Sequence, residues 1–293
     1  MRHFEAGSKH LVTQLQFRPD GSGITAALRR AKHLVTWDIA SGTREKIVPT
    51  TTPNRVTCFA YSPDGAVLII GDDNGVARVY QLPDLQGGPE LVVGRDERVR
   101  AVAFSPLANE RTQWVLAAGT QLQLRNLKTG EINAGFDEAD YRYDAVFTPE
   151  GTTVLEGHGL YLVAWSIRSE EVFRVRCESD VTRVVFSPDG QRLALAIGTG
   201  ISLRVGDDPT RPGPTIDTLS RSGAMDLTFT PDGRFLLVAD ATNAVKLFDP
   251  TTGTVAHEYD WGIGKVSAVA VSPDGTMAAA GGEKGQVVLW DLD

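Results

Sequence analysis

The sequence has few cysteines, no long apolar run and a deficit of positive charge. Two cysteines, Cys58 and Cys177, occur among 293 residues. Without a Cys-x-x-Cys motif, these exclude a disulfide-rich fold and the usual zinc and redox motifs, and we interpret both as small core residues. No run of about 18 apolar residues is present, so no membrane-spanning helix is predicted.

The charge balance limits the classes of partner. Lys and Arg total 29 against 37 Asp and Glu, a net charge of −8. Such a protein does not attract nucleic acid or anionic membrane through its bulk charge, so we expect neither as a partner. The first residues, Met-Arg-His-Phe-Glu, lack the apolar core of a secretion signal, which favours a cytoplasmic location. The excess of Arg over Lys is typical of a GC-rich bacterial genome.

One pattern recurs along the chain at intervals of 39 to 44 residues. It is clearest at residues 181–190, where Val-Thr-Arg-Val-Val-Phe-Ser-Pro-Asp-Gly joins alternating apolar positions to a turn sequence. Proline presets φ, Asp bonds its own backbone and Gly accepts a positive φ. Each copy therefore predicts a strand that runs into a tight hairpin. The prolines that mark the seven copies are Pro19, Pro63, Pro106, Pro149, Pro188, Pro231 and Pro273.

Each repeat contains short apolar stretches bounded by turn residues, and we label the strands that they predict a, b, c and d. In the first repeat these are residues 12–17, 24–28, 33–38 and 44–48. A period of this length along the whole chain predicts a single domain over residues 1–293.

Three segments depart from this plan. Residues 107–111 replace the Asp-Gly turn of the third repeat, which predicts a longer hairpin tip. Residues 83–88 and 206–214 are rich in Pro and Gly and predict irregular connections.

The two ends of the chain complement each other. The last repeat has no residues left for strand d, whereas residues 1–6 occupy the position that strand d holds in the period. We therefore predict that an N-terminal strand completes the last sheet and removes its open edge. This register and the initial Met1 favour a protein that stands alone.

The Phe-Ser-Pro-Asp-Gly-like segments and the endings of strand c resemble the WD-repeat β-propeller family. Those endings are Trp37-Asp38, Phe248-Asp249 and Trp290-Asp291. The resemblance covers essentially the whole chain and implies an all-β fold, a seven-bladed β-propeller of four-stranded antiparallel blades around a central channel. By analogy with that fold, it also implies a binding platform rather than an enzyme.

The repeats lack two polar positions of the family. Family blades often carry a Gly-His pair before strand a and an Asp in the turn between strands b and c. Neither position is kept, and the residues at the turn position include Ala31, Asn74, Thr242 and Lys284. We therefore expect apolar packing to hold the blades. The tryptophans that recur in strand c are expected in the core, and they are Trp37, Trp165 and Trp290.

No set of side chains converges into a catalytic site, and we predict no catalytic residue, cofactor or metal. His10 and His33 fall in one repeat. Two interpretations are open for this pair: a metal or acid/base site, or two solvated loop histidines. Asp144 and Asp226 occupy equivalent positions of strand a. They leave open a propeller-type hydrolase or lyase with its site at the mouth of the channel.

The loops before strand a combine arginines with aromatic residues, and we predict a partner-binding surface there. Arg offers a planar fork for carboxylate or phosphate, and aromatic rings bury much area at low entropy cost. Acidic residues such as Glu97 and Asp180 interleave with them, so a solvated rim of weak ion pairs is the alternative. The predicted partner-binding residues are Arg55, Arg98, Arg100, Tyr141, Tyr143, Arg183, Trp261 and Lys265.

These observations predict a noncatalytic, monomeric scaffold that binds peptide or protein partners, including acidic ones. The propeller-type hydrolase or lyase is one alternative. A sensor or structural module of a larger regulatory assembly is the other.

Overall fold

The regular structure of the chain consists of short antiparallel strands. The computed structural model describes residues 1–7, 10–47, 54–94, 97–107, 113–134, 142–168, 170–216, 223–240 and 242–292. These residues form seven four-stranded sheets, here called blades 1 to 7 in the order of the repeats. The predicted all-β, seven-bladed β-propeller class is confirmed. None of the described segments is a helix able to span a lipid bilayer.

The chain divides into two compact units. Unit 1 comprises Met1–Val48 and Val185–Asp293, and unit 2 comprises Pro49–Val184. The division falls inside β18 (Val181–Phe186), which is strand a of blade 5. The single domain over residues 1–293 stays a prediction.

Unit 1 contains blades 1 and 6 and most of blade 5. Blade 1 consists of β2 (Val12–Phe17), β3 (Gly23–Leu28), β4 (Leu34–Asp38) and β5 (Arg44–Ile47). Blade 5 continues from β18 with β19 (Arg192–Ile197), β20 (Gly200–Val205) and β21 (Pro212–Ile216). Blade 6 consists of β22 (Asp226–Phe229), β23 (Leu236–Ala239), β24 (Ala244–Asp249) and β25 (Thr254–Asp260).

Blade 7 also belongs to unit 1 and takes its fourth strand from the N-terminus. Its strands are β26 (Val266–Val271), β27 (Met277–Gly282), β28 (Gln286–Asp291) and β1 (Arg2–Glu5). β1 pairs antiparallel with β28, with Phe4 opposite Val287. The buried Phe4 ring stacks on Trp37 of blade 1 with 5.7 Å between centroids. The predicted closure of the last sheet by the N-terminal strand is confirmed.

Unit 2 contains blades 2, 3 and 4. Blade 2 consists of β6 (Val56–Tyr61), β7 (Val67–Asp72), β8 (Val76–Gln81) and β9 (Gln86–Val92). Blade 3 consists of β10 (Ala101–Phe104), β11 (Trp114–Ala118), β12 (Leu122–Asn126) and β13 (Ile132–Asn133). Blade 4 consists of β14 (Arg142–Phe147), β15 (Thr153–His158), β16 (Tyr161–Ser166) and β17 (Glu171–Arg176).

The repeated turn is held by its own side chains. In blade 5 the Ser187 hydroxyl donates to Asp189 Oδ1 at 2.6 Å, and the same oxygen accepts the Gln191 amide at 3.0 Å. Gly190 follows with φ +70°, a conformation that favours glycine. These bonds lower the pKa of Asp189, with the hydroxyl of Ser187 as the largest cause. The same hydroxyl-to-carboxylate bond occurs in the pairs Ser62–Asp64, Thr230–Asp232 and Ser272–Asp274.

Two predicted connections are shorter than expected, because residues 86–88 and 212–214 belong to strands. Gly87 and Gly88 lie within β9, and Pro212 begins β21. Both strands are outer strands of their sheets, where one side has no strand neighbour, so Gly and Pro interrupt fewer hydrogen bonds there. The predicted longer tip at residues 107–111 lies outside the described residues apart from Leu107.

The core lies on the strands of each blade, and the recurrent tryptophans are part of it. Trp37, Trp165 and Trp290 are all buried, which confirms their predicted position. Cys58 and Cys177 are buried free thiols, as predicted.

Candidate functional site

A β-bulge begins strand a in blades 1, 2, 4 and 7. The bulged residue is Thr13, Thr57 or Ser267 in three of these blades, and its hydroxyl oxygen lies 3.2–3.4 Å from a strand b carbonyl oxygen. Blade 4 has Tyr143 at the same position. The Tyr143 hydroxyl donates instead to Asp180 Oδ2 at 3.0 Å, in the loop before blade 5. The bulge therefore directs this side chain to the surface, as bulges beside functional sites often do.

Residues from three successive blades meet at Tyr143. The guanidinium carbon of Arg100, just before β10 of blade 3, lies 5.9 Å from the centroid of the Tyr143 ring. Such a cation–π contact contributes about 0.5–1 kcal/mol at an exposed site. Arg100, Tyr143 and Asp180 are all half-buried. The ring is thus held at its face by Arg100 and at its hydroxyl by Asp180.

Arg183 provides positive charge beside a half-buried carboxylate, that of Asp144. Asp144 accepts the backbone N–H groups of Ala145 and Val184, each at 3.0 Å. Burial raises the pKa of Asp144, whereas the Arg183 guanidinium and the two amide bonds act in the opposite direction. Arg183 therefore stabilises the ionised form of Asp144.

Arg98 belongs to the same neighbourhood. Its side chain is exposed. The positive charge of Arg98 acts to lower the pKa of the buried Cys58 thiol, whereas the negative charge of Asp144 acts to raise it. Burial is the main cause that raises the pKa of Cys58 to about 12, so this thiol is not a nucleophile at neutral pH. The group formed by Arg98, Arg100, Tyr143, Asp180 and Arg183 is called the Arg-Tyr surface below.

The other predicted binding residues have separate environments. Arg55 of unit 2 is exposed and lies 4.0 Å from the Asp73 carboxylate. Trp261 of unit 1 is half-buried and stacks on Tyr259 at 5.7 Å between centroids. Lys265 of unit 1 is exposed and lines a cavity. Tyr141 lies outside the described residues.

Asp144 and Asp226, the carboxylates behind the hydrolase alternative, have the same structural role. Asp226 accepts the Leu227 amide at 3.1 Å and the Val269 amide of the next blade at 3.0 Å. Asp144 bonds its own neighbour and the next blade in the same way. Each carboxylate thus ties strand a of one blade to strand a of the next, a role that explains both residues without catalysis.

Sequence reasoning missed a buried ion pair in blade 4. Arg142 Nε lies 2.6 Å from Glu156 Oε2, and both side chains are 0% exposed. The Trp165 indole N–H donates to the other carboxylate oxygen at 3.0 Å, and Arg142 also donates to the Thr120 carbonyl. The signal was present: Arg142 occupies the first core position of strand a, where other repeats have residues such as Val12 and Val56.

Two further buried carboxylates add polar interactions to blades that the sequence predicts to be held mostly by apolar packing. Asp72 ends strand b of blade 2, and its carboxylate accepts the amides of Asn74 and Val76. Asp240 directly follows strand b of blade 6, and its carboxylate accepts the Thr242 amide. Asp72 also pairs with Arg78 and Asp240 with Lys246, each at 2.9 Å. In the WD-repeat family the corresponding Asp lies inside the turn between strands b and c, whereas these two acids lie just before that turn. An acid followed six residues later by a cation, in two repeats, was the available signal.

The histidine pair shows no metal geometry. No group of three or more His, Cys, Asp or Glu among the described residues could hold a metal ion. Burial lowers the pKa of His33, and the charges of Lys46 and Arg44 lower it further. A positive environment of this kind disfavours a bound cation at His33. His10 is exposed and lines the same cavity as Lys265.

Comparison with known proteins gives one family, matched by two segments of the chain, and several relatives. Residues 45–81 and 254–291 match the WD domain, G-beta repeat family. The chain is 28% identical over 149 residues to the meiotic recombination protein rec14 of Schizosaccharomyces pombe, an alignment of 49% of this chain and 48% of that protein. It is 21% identical over 251 residues to the actin-interacting protein 1 of Drosophila melanogaster, which aligns 81% of this chain with 39% of the relative.

A third relative is the WD repeat-containing protein 55 homolog of Drosophila persimilis, which is 32% identical over 124 residues. That alignment covers 40% of this chain and 24% of the relative. The chain thus spans less than half the length of each of these relatives. The seven four-stranded blades, the two matched repeats and these relatives support a WD-repeat family, the family that the sequence resembles.

Proposed function

We propose that this protein is a noncatalytic scaffold that binds protein or peptide partners with acidic groups through the Arg-Tyr surface. The observation that carries the proposal is the Arg100–Tyr143–Asp180 arrangement, whose three residues come from three successive repeats and all lie in unit 2. An aromatic ring held on two sides loses little entropy when a partner covers it. Pre-organised aromatic and Arg side chains are the types that most often dominate binding energy at interfaces.

The charge of the surface supports an acidic partner. Arg98, Arg100 and Arg183 contribute three cations to a protein whose net charge is −8. A local cluster of positive charge attracts acidic groups even on a protein of negative net charge. Salt screens the repulsion from the more distant negative charges, because the field of an exposed charge extends only about 8–10 Å at physiological salt. Arg guanidinium groups also bind carboxylates through two parallel hydrogen bonds.

The family supports a scaffold in general and names no partner for this chain. WD-repeat relatives point to protein interaction, and one relative is named for an interaction with actin. Because the matched segments cover only part of each relative, the identity of the partner has to come from experiment.

The test is affinity capture from a lysate of the source organism with the triple variant R98A/R100A/R183A. We expect the variant to lose the principal partner that the unmodified protein captures, because three cations and the support of Tyr143 are removed together. The double variant R98A/R100A keeps Arg183 beside Asp144 and separates loss of binding from loss of local stability.

A matched control removes three exposed cations of unit 2 that lie elsewhere on blades 3 and 4. These are Lys128, Arg168 and Arg176. This control changes the net charge by the same amount and should keep the partner. Capture of the same partners by R98A/R100A/R183A, with circular dichroism spectra that match the unmodified protein, would show that the Arg-Tyr surface is not the binding site.

A further inference from the structure

Unit 1 contains a second surface that is positively charged, opposite in sign to the net charge of the protein. A cavity of about 520 Å³ opens where the loops before strand a of blades 1 and 7 meet the turn between strands b and c of blade 1. This volume lies within the range of about 300–1,000 Å³ that is usual for small-molecule sites. The cavity has no role in the function proposed above.

Charged side chains line one part of the cavity. Arg29, Arg30 and Lys265 face it together with Glu283 and His10. Three fixed positive charges against one carboxylate leave an excess of two, even with the imidazole neutral. A group that carries two negative charges and several acceptor oxygens complements this excess. Neighbouring guanidinium groups bind such oxygens through paired hydrogen bonds.

The backbone of Arg30 has an unusual conformation for its residue type. Its φ is +67°, in the left-handed region that disfavours side chains with a Cβ. Glycine occupies this region in the corresponding turns of blades 4 and 5, at Gly159 and Gly198. Residues held in disfavoured conformations concentrate at functional sites. An arginine in a conformation that favours glycine points to a use for its side chain.

The turn that carries the arginines is anchored to the rest of blade 1. The Arg29 amide donates to the Leu11 carbonyl at 2.8 Å, and the Ala31 amide donates to the Leu28 carbonyl at 3.0 Å. These bonds hold the backbone of the turn against the start of strand a. The backbone that carries the two arginines is therefore fixed.

The remaining lining is apolar or buried. Leu11 and Met225 are half-buried and Val266 is buried, and all three contribute to the cavity. The hydroxyl of Ser267 on the floor already donates to the Val12 carbonyl at 2.6 Å. The cavity thus combines cationic and apolar lining residues, which suits a molecule that has an anionic group and an organic body.

We propose that this cavity binds phosphomonoesters, with the phosphoryl group at Arg29, Arg30 and Lys265 and the organic part against Leu11, Met225 and Val266. The phosphoryl group can belong to a small metabolite or to a phosphorylated side chain of a peptide. Both sources present the same dianion to the same cations.

The experiment is isothermal titration of the full chain with phenyl phosphate, with inorganic phosphate and phenol as comparisons. We expect phenyl phosphate to bind more tightly than inorganic phosphate, because only the ester also contacts the apolar side, and phenol not to bind measurably. Equal affinity for phenyl phosphate and inorganic phosphate would overturn the assignment of the organic part. Absence of binding by every phosphate probe at millimolar concentration would overturn the site.

Three variants test the residues. Arg30→Gly removes the guanidinium and leaves a residue that the φ of +67° favours, so we expect affinity at least about tenfold lower with unchanged or higher thermal stability. Glu283→Gln removes the opposing carboxylate and should tighten binding. Lys32→Gln is the matched control, since Lys32 is exposed two residues after Arg30 and does not line the cavity.

Equal affinity of the Arg30→Gly and Glu283→Gln variants would refute the charge assignment, because the two changes alter the local charge in opposite directions. A phosphoserine tripeptide titrated in parallel separates the two sources. Tighter binding than phenyl phosphate supports a phosphopeptide at this site, and weaker binding supports a small phosphorylated molecule.

Discussion

The buried Arg142–Glu156 pair of blade 4 allows a quantitative test of how the blade is stabilised. The change is Arg142→Met, which keeps most of the side-chain length and removes the charge. It leaves Glu156 fully buried, with the Trp165 indole N–H as one remaining donor. The companion change, Glu156→Leu, leaves the guanidinium without its carboxylate. The double variant R142M/E156L removes both charges and retains similar volume.

The magnitudes follow from the burial of both side chains. Removal of one partner from a fully buried pair lowers the free energy of unfolding by about 3–5 kcal/mol, because the other charge stays in a low dielectric. Replacement of both partners by apolar groups is often neutral, and here the Trp165 indole N–H also loses its acceptor, which costs about 1–3 kcal/mol. We therefore expect the double variant to be more stable than either single variant.

The assay is equilibrium urea denaturation of the four proteins, followed by far-UV circular dichroism. An exposed ion pair of the same blade, Arg174 with Glu171 at 2.7 Å, is the control. Its single variant Arg174→Met should lose at most about 1 kcal/mol. The reasoning is refuted if the double variant R142M/E156L is destabilised by the sum of the two single effects, about 6–10 kcal/mol, because the two charges would then act independently.

Two further predictions concern the repeats as a whole. Deletion of residues 1–6 should lower the melting temperature and promote self-association, because β28 loses its partner strand and exposes an edge; an unchanged melting temperature and a monomer by light scattering would contradict this. The free energy of unfolding should also fall as pH decreases below about 4. In the folded state the turn aspartates have pKa values below their ordinary 3.8. Their stabilising effect is therefore complete above pH 3.8 and is lost as the pH falls toward the lower folded pKa values. Replacement of these residues by Asn should flatten the fall in an acid titration of the melting temperature, and an unchanged profile would count against the turns as its source. The residues to replace are Asp64, Asp189, Asp232 and Asp274.

The periodic features of the fold could be predicted because they depend on contacts close in sequence. The alternation of strand a, the Ser-Pro-Asp-Gly turn and the recurrent Trp of strand c each act within a hairpin, so the residues themselves specify them. The closing strand β1 could be predicted from the same period, since the last repeat lacked one strand. The outer strands β9 and β21 were less predictable, because an edge tolerates Gly and Pro that an inner strand excludes.

The polar interactions between repeats could not be predicted with the same success. The Arg and Tyr positions of the Arg-Tyr surface were recognised from residue type, but the bond from Tyr143 to Asp180 joins residues 37 positions apart. Asp144 was considered as a catalytic carboxylate, whereas its bond to the Val184 amide of the next blade explains its position. The sequence gives no indication of a role for Arg30, because a positive φ at arginine has no signature in composition.

The sequence by itself determined the all-β class, the number of blades and the strand that completes the last one, because the period and the turn chemistry repeat whatever the neighbours are. Only the tertiary structure decided which charged residues are buried and paired, which side chains meet at Tyr143, and which cations share the cavity of unit 1. Those outcomes depend on distances between residues far apart in the chain, and on the burial that sets the strength of each charge interaction.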